Sequence, residues 1–461
     1  MKALFIHPEI SRTKYNWVGI IENDCLDLEF LSAVFKEHGA EVDYWDGQIE
    51  SRPCKEKIAE YRPDVVYVTG RPRQENFMIE YAVTAKALAR EEARKEPLTI
   101  LGGIHAVLSY ERMYQDGVDV VVSSMDPHVV WEVTEAFYGE ERVPFKDISG
   151  ISYRDPKDGS WKKNPVTACD INTFPRADRT LFDTHPDRYR YLELEHAAWV
   201  RTALSCPFRC EFCMRNRMNQ GVYSARDIRD VVDEIEELKA DNIFLCDDDF
   251  LVDEKRVRQF VDLINERGIK KKYIVYGRVD FVAAHEELLR EFHEAGLYYV
   301  LSGLEAVSQD RLDRYHKRTT DDINAKSVEI CNRLGIHLMG MFILDLDFKR
   351  KDFKDIYRWS KDHHLAHVAV SIYTPEFGLP SYDRYKDRII TDNPSHFDYL
   401  HVVAKPDHMS VRRFYLYYYL LLIRLFLRAK REGVYDFIDY SGFIRSFILN
   451  IFRKKRENDD E

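Results

Sequence analysis

The sequence predicts an α/β protein in three parts: a doubly wound domain over residues 1–145, a partial (β/α)6 barrel over 196–405, and a C-terminal helical module over 406–461. Three observations predict it. Short apolar strands alternate with helical patterns in two separate series, the pattern of parallel sheets covered by helices. A stretch punctuated by Pro144, Pro156, Pro165, Pro175 and Pro186 separates the two series. Beyond Pro406 the text turns helical, aromatic and basic.

In the first series, strands are expected at 3–6, 41–44, 65–68, 99–101 and 118–122, and helices at 26–38 and 77–95. Such a domain presents its ligand to the carboxyl ends of its strands. Those ends read His7-Pro8, Thr69-Gly70-Arg71, Gly102-Gly103-Ile104-His105 and Ser123-Ser124. The paired glycines suit either a sharp turn or close backbone approach to a bulky ligand. Residues 146–195 read as a linker, with a hairpin about Pro156-Lys157-Asp158-Gly159. The second series places strands at 199–203, 242–246, 273–276, 298–301, 338–344 and 368–372, with helices such as 225–240, 254–268 and 320–335. Six βα units without a second glycine-rich fingerprint fit a barrel, whose functional residues belong at the strand C-termini.

Bulk properties narrow the class. A chain of 461 residues exceeds one ordinary core. No run of eighteen apolar residues occurs, and MKALFIHPEI reads as a buried strand and not a signal peptide, so a cytoplasmic protein is expected. Eight cysteines in that setting point to reduced thiols and to metal or redox chemistry. A net charge of −11 argues against nucleic acid as a partner. Between Val411 and Arg456, however, eleven Lys/Arg face three Asp/Glu, a local +8. Residues 413–428 are apolar almost all round, interrupted by Arg424. A second helical pattern, Phe443, Ile444, Phe447, Ile448 and Ile451, runs into Arg453-Lys454-Lys455-Arg456. Such helices fit peripheral contact with the inner face of a membrane, or else a barrel cap or dimer contact.

The chemistry concentrates in Cys206-Pro-Phe-Arg-Cys210-Glu-Phe-Cys213, just after the first barrel strand. Three thiolates within eight residues can wrap one metal centre at little loop-closure cost. Structural zinc and electron-transfer clusters normally take four protein ligands, whereas three leave one iron of a four-iron cluster open to a small molecule. A zinc knuckle completed by His196 or Cys246 is the alternative. Asp247-Asp248-Asp249 with Asp253 also admits a magnesium-diphosphate site.

The C-x3-C-x2-C spacing in this position resembles the radical SAM superfamily. The resemblance implies a [4Fe-4S] cluster on Cys206, Cys210 and Cys213, with S-adenosylmethionine on the open iron, cleaved by one electron to methionine and a 5′-deoxyadenosyl radical. It places Phe212 beside the adenine, Asp248 by the methionine moiety, Arg278 where paired donors can hold a carboxylate, and Glu305 at the ribose hydroxyls. It implies an electron donor such as flavodoxin or ferredoxin. The doubly wound domain ahead resembles the cobalamin-binding subfamily, in the branch of the hopanoid-3-methylase and the anaerobic magnesium-protoporphyrin ester cyclase. Leu101-Gly-Gly-Ile-His105, Phe244-Leu-Cys-Asp-Asp-Asp249, Arg267-Gly-Ile-Lys-Lys-Lys-Tyr273, Gly303-Leu-Glu-Ala306 and Tyr373-Thr-Pro375 carry that likeness. It implies cobalamin near Thr69, Gly102, Gly103 and His105. Where histidine-ligating domains carry Asp-x-His-x-x-Gly, this chain reads His7-Pro-Glu-Ile-Ser11, so the implied cobalamin has no histidine ligand. The activity implied is C-methyl transfer to an unactivated carbon of a lipid-like, isoprenoid-like or other hydrophobic small molecule. The rivals are oxidative cyclisation or rearrangement without methyl transfer, and an electron-transfer or sensor protein.

Overall fold

The computed structural model describes residues 1–10, 21–139, 144–434 and 436–437. Short runs of Val, Ile and Leu build the first sheet. Strands β1 (Lys2–His7), β2 (Glu41–Asp46), β3 (Val65–Val68), β4 (Leu98–Leu101) and β5 (Val120–Val122) are parallel, in the order β2-β1-β3-β4-β5. Strands β3, β4 and β5 are buried along their whole length, as befits a sheet covered on both faces. Helices Leu26–Glu37, Cys54–Tyr61, Glu75–Glu91, Gly103–Ser109 and His128–Tyr138 supply that cover. Part of the proline-punctuated segment joins this sheet: β6 (Ile151–Arg154) and β7 (Trp161–Lys163) form an antiparallel hairpin that pairs with the free edge of β5. Its turn is closed by the Gly159 amide donating to the Asp155 carbonyl at 2.8 Å.

The second sheet is a six-stranded parallel array in sequence order: β8 (Ala197–Val200), β9 (Asn242–Leu245), β10 (Lys272–Tyr276), β11 (Leu297–Glu305), β12 (His337–Leu344) and β13 (His367–Ile372). Strands β8 and β13 remain its two edges, which makes it a partial barrel. Amphipathic helices wrap the outside. Helix Ile228–Glu237 buries Ile228, Val231, Val232 and Ile235 and is capped by Asp227, whose carboxylate accepts from the Arg229 amide. It is shorter than the 225–240 expected, because Ser224–Ala225 pairs with Ala203–Leu204 and Leu238 turns extended. Helix Asp321–Leu334 starts at the Thr320 cap and stops at Gly335, whose φ of +78° suits a residue without Cβ.

A largely enclosed arginine, its side chain 12% exposed, locks the two sheets together. Arg179 donates to Asp24 (3.2 Å) and Glu29 (2.7 Å) of the first domain and to Glu234 (2.5 Å) on the barrel helix. Burial still pushes Asp24 up to about 7 despite the guanidinium beside it. Arg201 adds a second link to Asp27 at 2.7 Å. Helix Val411–Arg431 closes the described chain. Ser410 caps it, and Phe414, Tyr418, Leu421, Leu425 and Ala429 pack it against the barrel's outer layer, with Phe414 edge-on to Phe353 at 5.2 Å. The second helical pattern, residues 443–456, lies outside the described residues. Among the described residues no helix is long and apolar enough to cross a membrane.

Candidate cofactor site between the two sheets

The carboxyl ends of both sheets point into one cavity of 820 Å³. A second cavity of 350 Å³ adjoins it, sharing Arg71, Arg73, Ile104, Phe212, Cys213, Arg215, Glu305 and Met341 as walls. Cys206, Cys210 and Cys213 all line the larger space and are only partly exposed. The chain reaches them through Ser205, whose φ of +64° turns the loop sharply after the short strand Ala203–Leu204. Burial pushes the Cys206 thiol up to about 12 and that of Cys213 to about 11, so binding a metal there must displace protons.

The barrel edge brings together the other residues singled out from its sequence. Phe212 stands edge-on to Tyr315 at 5.4 Å and lines both cavities. Asp248 faces the larger cavity with Arg215 at 3.2 Å. Arg278 spends Nε and Nη2 on Asp280, two residues on, at 2.9 and 2.8 Å, and its plane lies 4.0 Å over Phe208. Its fork is therefore already occupied by a protein carboxylate. Glu305 sits at a bulge in β11, where the pairing with β12 skips Leu304, and its backbone φ is +61°. A bulge of this kind re-aims a side chain. Here it aims the carboxylate at Lys317 Nζ, 2.9 Å away, in a pair with both partners buried. Gly303 makes room for that pair: a Cβ there would come within 1.9 Å of Glu305 Oε1.

The acidic run divides its labour. Asp247 accepts from the Thr202 amide (2.6 Å), the Ala203 amide (2.9 Å) and the Thr202 hydroxyl, tying β9 to the end of β8. Asp253 caps helix Glu254–Glu266. With Asp248 on Arg215, these carboxylates do not converge as a magnesium-diphosphate site would require. Asp249 is different. It is buried against the larger cavity, neither oxygen accepts a hydrogen bond, and burial raises its carboxyl to about 8. A ligand donor would satisfy it.

On the N-terminal edge the geometry departs from expectation. Gly102 and Gly103 are required by the protein's own packing: a Cβ on Gly102 would meet the Tyr67 hydroxyl at 2.1 Å, and one on Gly103 the Thr69 hydroxyl at 2.3 Å. Thr69 is buried beneath them. His105, in the first turn of a helix, points away from both cavities into a buried cluster, with Nε2 2.5 Å from Glu75, which also takes both donors of Arg112. The residues that face the cavity are instead Arg71, Arg73, Gln74 and Ile104, with His7 and Gln48 from neighbouring strand ends. His7 Nδ1 lies 3.1 Å from Asp46 Oδ1, to which it donates when it carries the proton, and 3.1 Å from Gln48 Nε2, from which it accepts when it does not. Burial and then the nearby Arg215 hold Arg71 below its ordinary pKa. Sequence reading passed over Arg71 although it named that strand end, and passed over Arg215 two residues after Cys213. Nothing in the sequence pointed to Lys317, which arrives from a loop between two helices.

Of the two residues that could complete a zinc knuckle, Cys246 lines the same cavity as the three thiols, but His196 is misplaced. His196 lies at the opposite end of β8 from the cysteine loop, between Asp187 (2.8 Å) and Asp241 (2.9 Å). Among the described residues no three His, Cys, Asp or Glu side chains are arranged to hold a single metal ion. Three thiols on one loop, all lining one cavity, are the donor set of a cluster that leaves one iron open.

A doubly wound domain and a partial parallel barrel, sharing one cavity edged by three thiols, define a class of two-domain metallocofactor enzymes. Within it, residues 200–360 match the family model of the radical SAM superfamily and residues 24–128 that of the B12 binding domain, so the chain carries a radical SAM domain with a B12-binding domain ahead of it. A radical SAM domain works with a [4Fe-4S] cluster and S-adenosylmethionine, and the B12-binding domain adds a cobalamin. The chain is 25% identical over 432 residues to the anaerobic magnesium-protoporphyrin IX monomethyl ester cyclase of Cereibacter sphaeroides, covering 89% of this chain and 68% of that one. It is 23% identical over 429 residues to the hopanoid C-3 methylase of Methylococcus capsulatus, covering 90% and 78%. Its fold matches that of the cobalamin-dependent S-adenosylmethionine radical enzyme OxsB with aqua-cobalamin bound, at a TM-score of 0.65 and 18% identity. That match covers 78% of this chain and 51% of OxsB, so the chain spans about half the length of that protein.

Proposed function

We propose that this protein is a cobalamin-dependent radical SAM methyltransferase acting on an unactivated carbon of a hydrophobic small molecule, at or near a membrane surface. The observation that carries the reading is the single cavity that has Cys206, Cys210 and Cys213 on one side and the strand ends of the B12-binding domain on the other. Bound cofactors would supply a carbon-centred radical and a methyl donor that reacts with radicals; the protein's part is binding, orientation and exclusion of water. Cys206, Cys210 and Cys213 would hold the cluster. Phe212, Asp248, Asp249 and the Glu305–Lys317 pair would contact S-adenosylmethionine, with Arg278 holding Asp280 and Phe208 in place behind them. Cobalamin would rest against Arg71, Gln74 and Ile104, with Gly102, Gly103 and Thr69 shaping the turn beneath and His105 bracing it through Glu75. Phe212, Met341, Phe342, Ile343 and Phe397 give the smaller cavity the apolar walls a hydrophobic substrate needs.

Cyclisation without methyl transfer is the second reading, favoured by the likeness to the cyclase. Anaerobically reconstituted protein, given S-adenosylmethionine carrying a labelled methyl group, hydroxocobalamin and a strong reductant, should release 5′-deoxyadenosine and pass label to a hydrophobic acceptor. Release of 5′-deoxyadenosine with unlabelled product would favour cyclisation. One zinc per chain and no 5′-deoxyadenosine would sink both readings.

A further inference from the structure

Helix Val411–Arg431 has two apolar faces, and among the described residues only one is covered. Phe414, Tyr418, Leu421, Leu425 and Ala429 face the barrel. Leu416, Leu420, Ile423 and Leu427 are 55%, 47%, 54% and 49% exposed and are separated by four, three and four residues. At about 100° per residue these four fall within about 60° of one another, on the side opposite the buried set. An ordinary surface helix is polar on that side. The flanks are cationic: Arg412 and Lys430 lie on one side of the stripe and Arg413, Arg424 and Arg431 on the other, all exposed. No Asp or Glu occurs between Val411 and Arg431.

We infer that this stripe docks the protein onto an anionic lipid surface, with the helix lying in the plane of the head groups. Lipid suits the charge pattern. A second copy would set arginine against arginine around the stripe, whereas an anionic surface pairs every flanking cation while the four apolar side chains sink between head groups. Long cationic side chains can extend outward from such a stripe and keep their charge in water. The helix is too polar to cross a bilayer, so it lies on the surface.

The helix that carries the stripe is tied to the segment that walls the smaller cavity. The Tyr415 hydroxyl accepts from the Val402 amide at 2.9 Å. The segment just before Val402 supplies Phe397, Asp398 and Tyr399 to the wall of the smaller cavity. A hydrophobic substrate drawn from the bilayer would thus meet the protein beside the wall of the cavity it must enter. This deepens the hydrophobic-substrate reading given above.

The test is co-sedimentation of the full chain with vesicles of phosphatidylcholine containing phosphatidylglycerol, and with pure phosphatidylcholine. Wild type should pellet with the anionic vesicles and more weakly with the neutral ones, and salt should weaken binding. Leu420→Glu with Ile423→Glu should lower anionic-vesicle binding at least about tenfold, leaving iron content and 5′-deoxyadenosine release unchanged. If that variant loses iron, Arg412→Gln with Arg413→Gln serves instead and should lower binding about fivefold per cation removed. Variants that bind as wild type does would overturn the inference, as would wild type that ignores both vesicles and instead sediments as a dimer broken by the Leu420/Ile423 change. Wild type that binds vesicles but never releases 5′-deoxyadenosine would contradict the proposed function and leave the docking face standing.

Discussion

Two strand-end edges face each other across the cavity, and they are built on different terms. The barrel edge spends backbone strain and buried charge on its contents: a left-handed Ser205 ahead of the cysteines, a bulge and a left-handed Glu305, and a buried Glu305–Lys317 pair. The N-terminal edge spends its unusual residues on itself. Gly102, Gly103, Thr69 and His105 make a tight strand-to-helix turn, and ordinary residues beside them, Arg71, Gln74 and Ile104, line the space. The difference teaches that a strand-end rule finds the edge, while local loop geometry decides which side chain faces the ligand. Strained non-glycine backbone concentrates where a structure over-determines it, often at functional sites.

The largest expected effect breaks the meeting of the two edges. Arg179→Ala leaves Asp24, Glu29 and Glu234 buried around an empty place, and should cost about 3–5 kcal/mol in denaturant unfolding. Unchanged stability would mean that the two domains are held together elsewhere.

A pair of glycine substitutions sharpens the contrast itself. Gly303→Ala should push Glu305 and Lys317 aside and raise the S-adenosylmethionine requirement for 5′-deoxyadenosine release by about tenfold, with modest loss of stability. Gly103→Ala, at φ +82° and against Thr69, should cost about 1–3 kcal/mol of stability and leave that requirement alone. The reverse assignment of effects would erase the distinction between the edges.

The smallest effect concerns pH. The Asp249 carboxyl titrates near 8 in the folded protein against 3.8 ordinarily. Between those values the folded form keeps a proton that the unfolded chain has lost, so this group makes stability fall as pH rises through that window. Asp249→Asn should remove that slope in the cofactor-free protein, gaining stability over wild type near pH 8 and almost nothing near pH 4 in denaturant unfolding. An equal gain at both pH values would show that the carboxyl is ionised throughout.

Much of this was legible in the sequence. Runs such as VVYV and LTIL can be little else than buried strands between helices, and the cysteine spacing after the first barrel strand marks one edge of the cavity. What escaped were contacts between residues distant in sequence. Lys317 reaches Glu305 from the loop that follows the short helix Gln309–Arg314, 12 residues on in the chain. The resemblance implies a ligand beside His105, but a helix begins at Gly103 and its first turn carries the ring toward Glu75, 30 residues earlier. The resemblance leaves the Arg278 fork free for a ligand carboxylate, but Asp280, two residues on, takes it.

The central claim is that one cavity, built half by each domain, holds the cluster and cobalamin together. The most direct measurement is the electron paramagnetic resonance spectrum of full-length protein carrying both a reduced cluster and cob(II)alamin. The account predicts magnetic interaction between the two centres, seen as splitting or accelerated relaxation of the cobalt signal, and its loss in Cys210→Ala. A cobalt signal identical with and without the reduced cluster, in protein shown to hold both, would place the cofactors in separate sites and contradict the account.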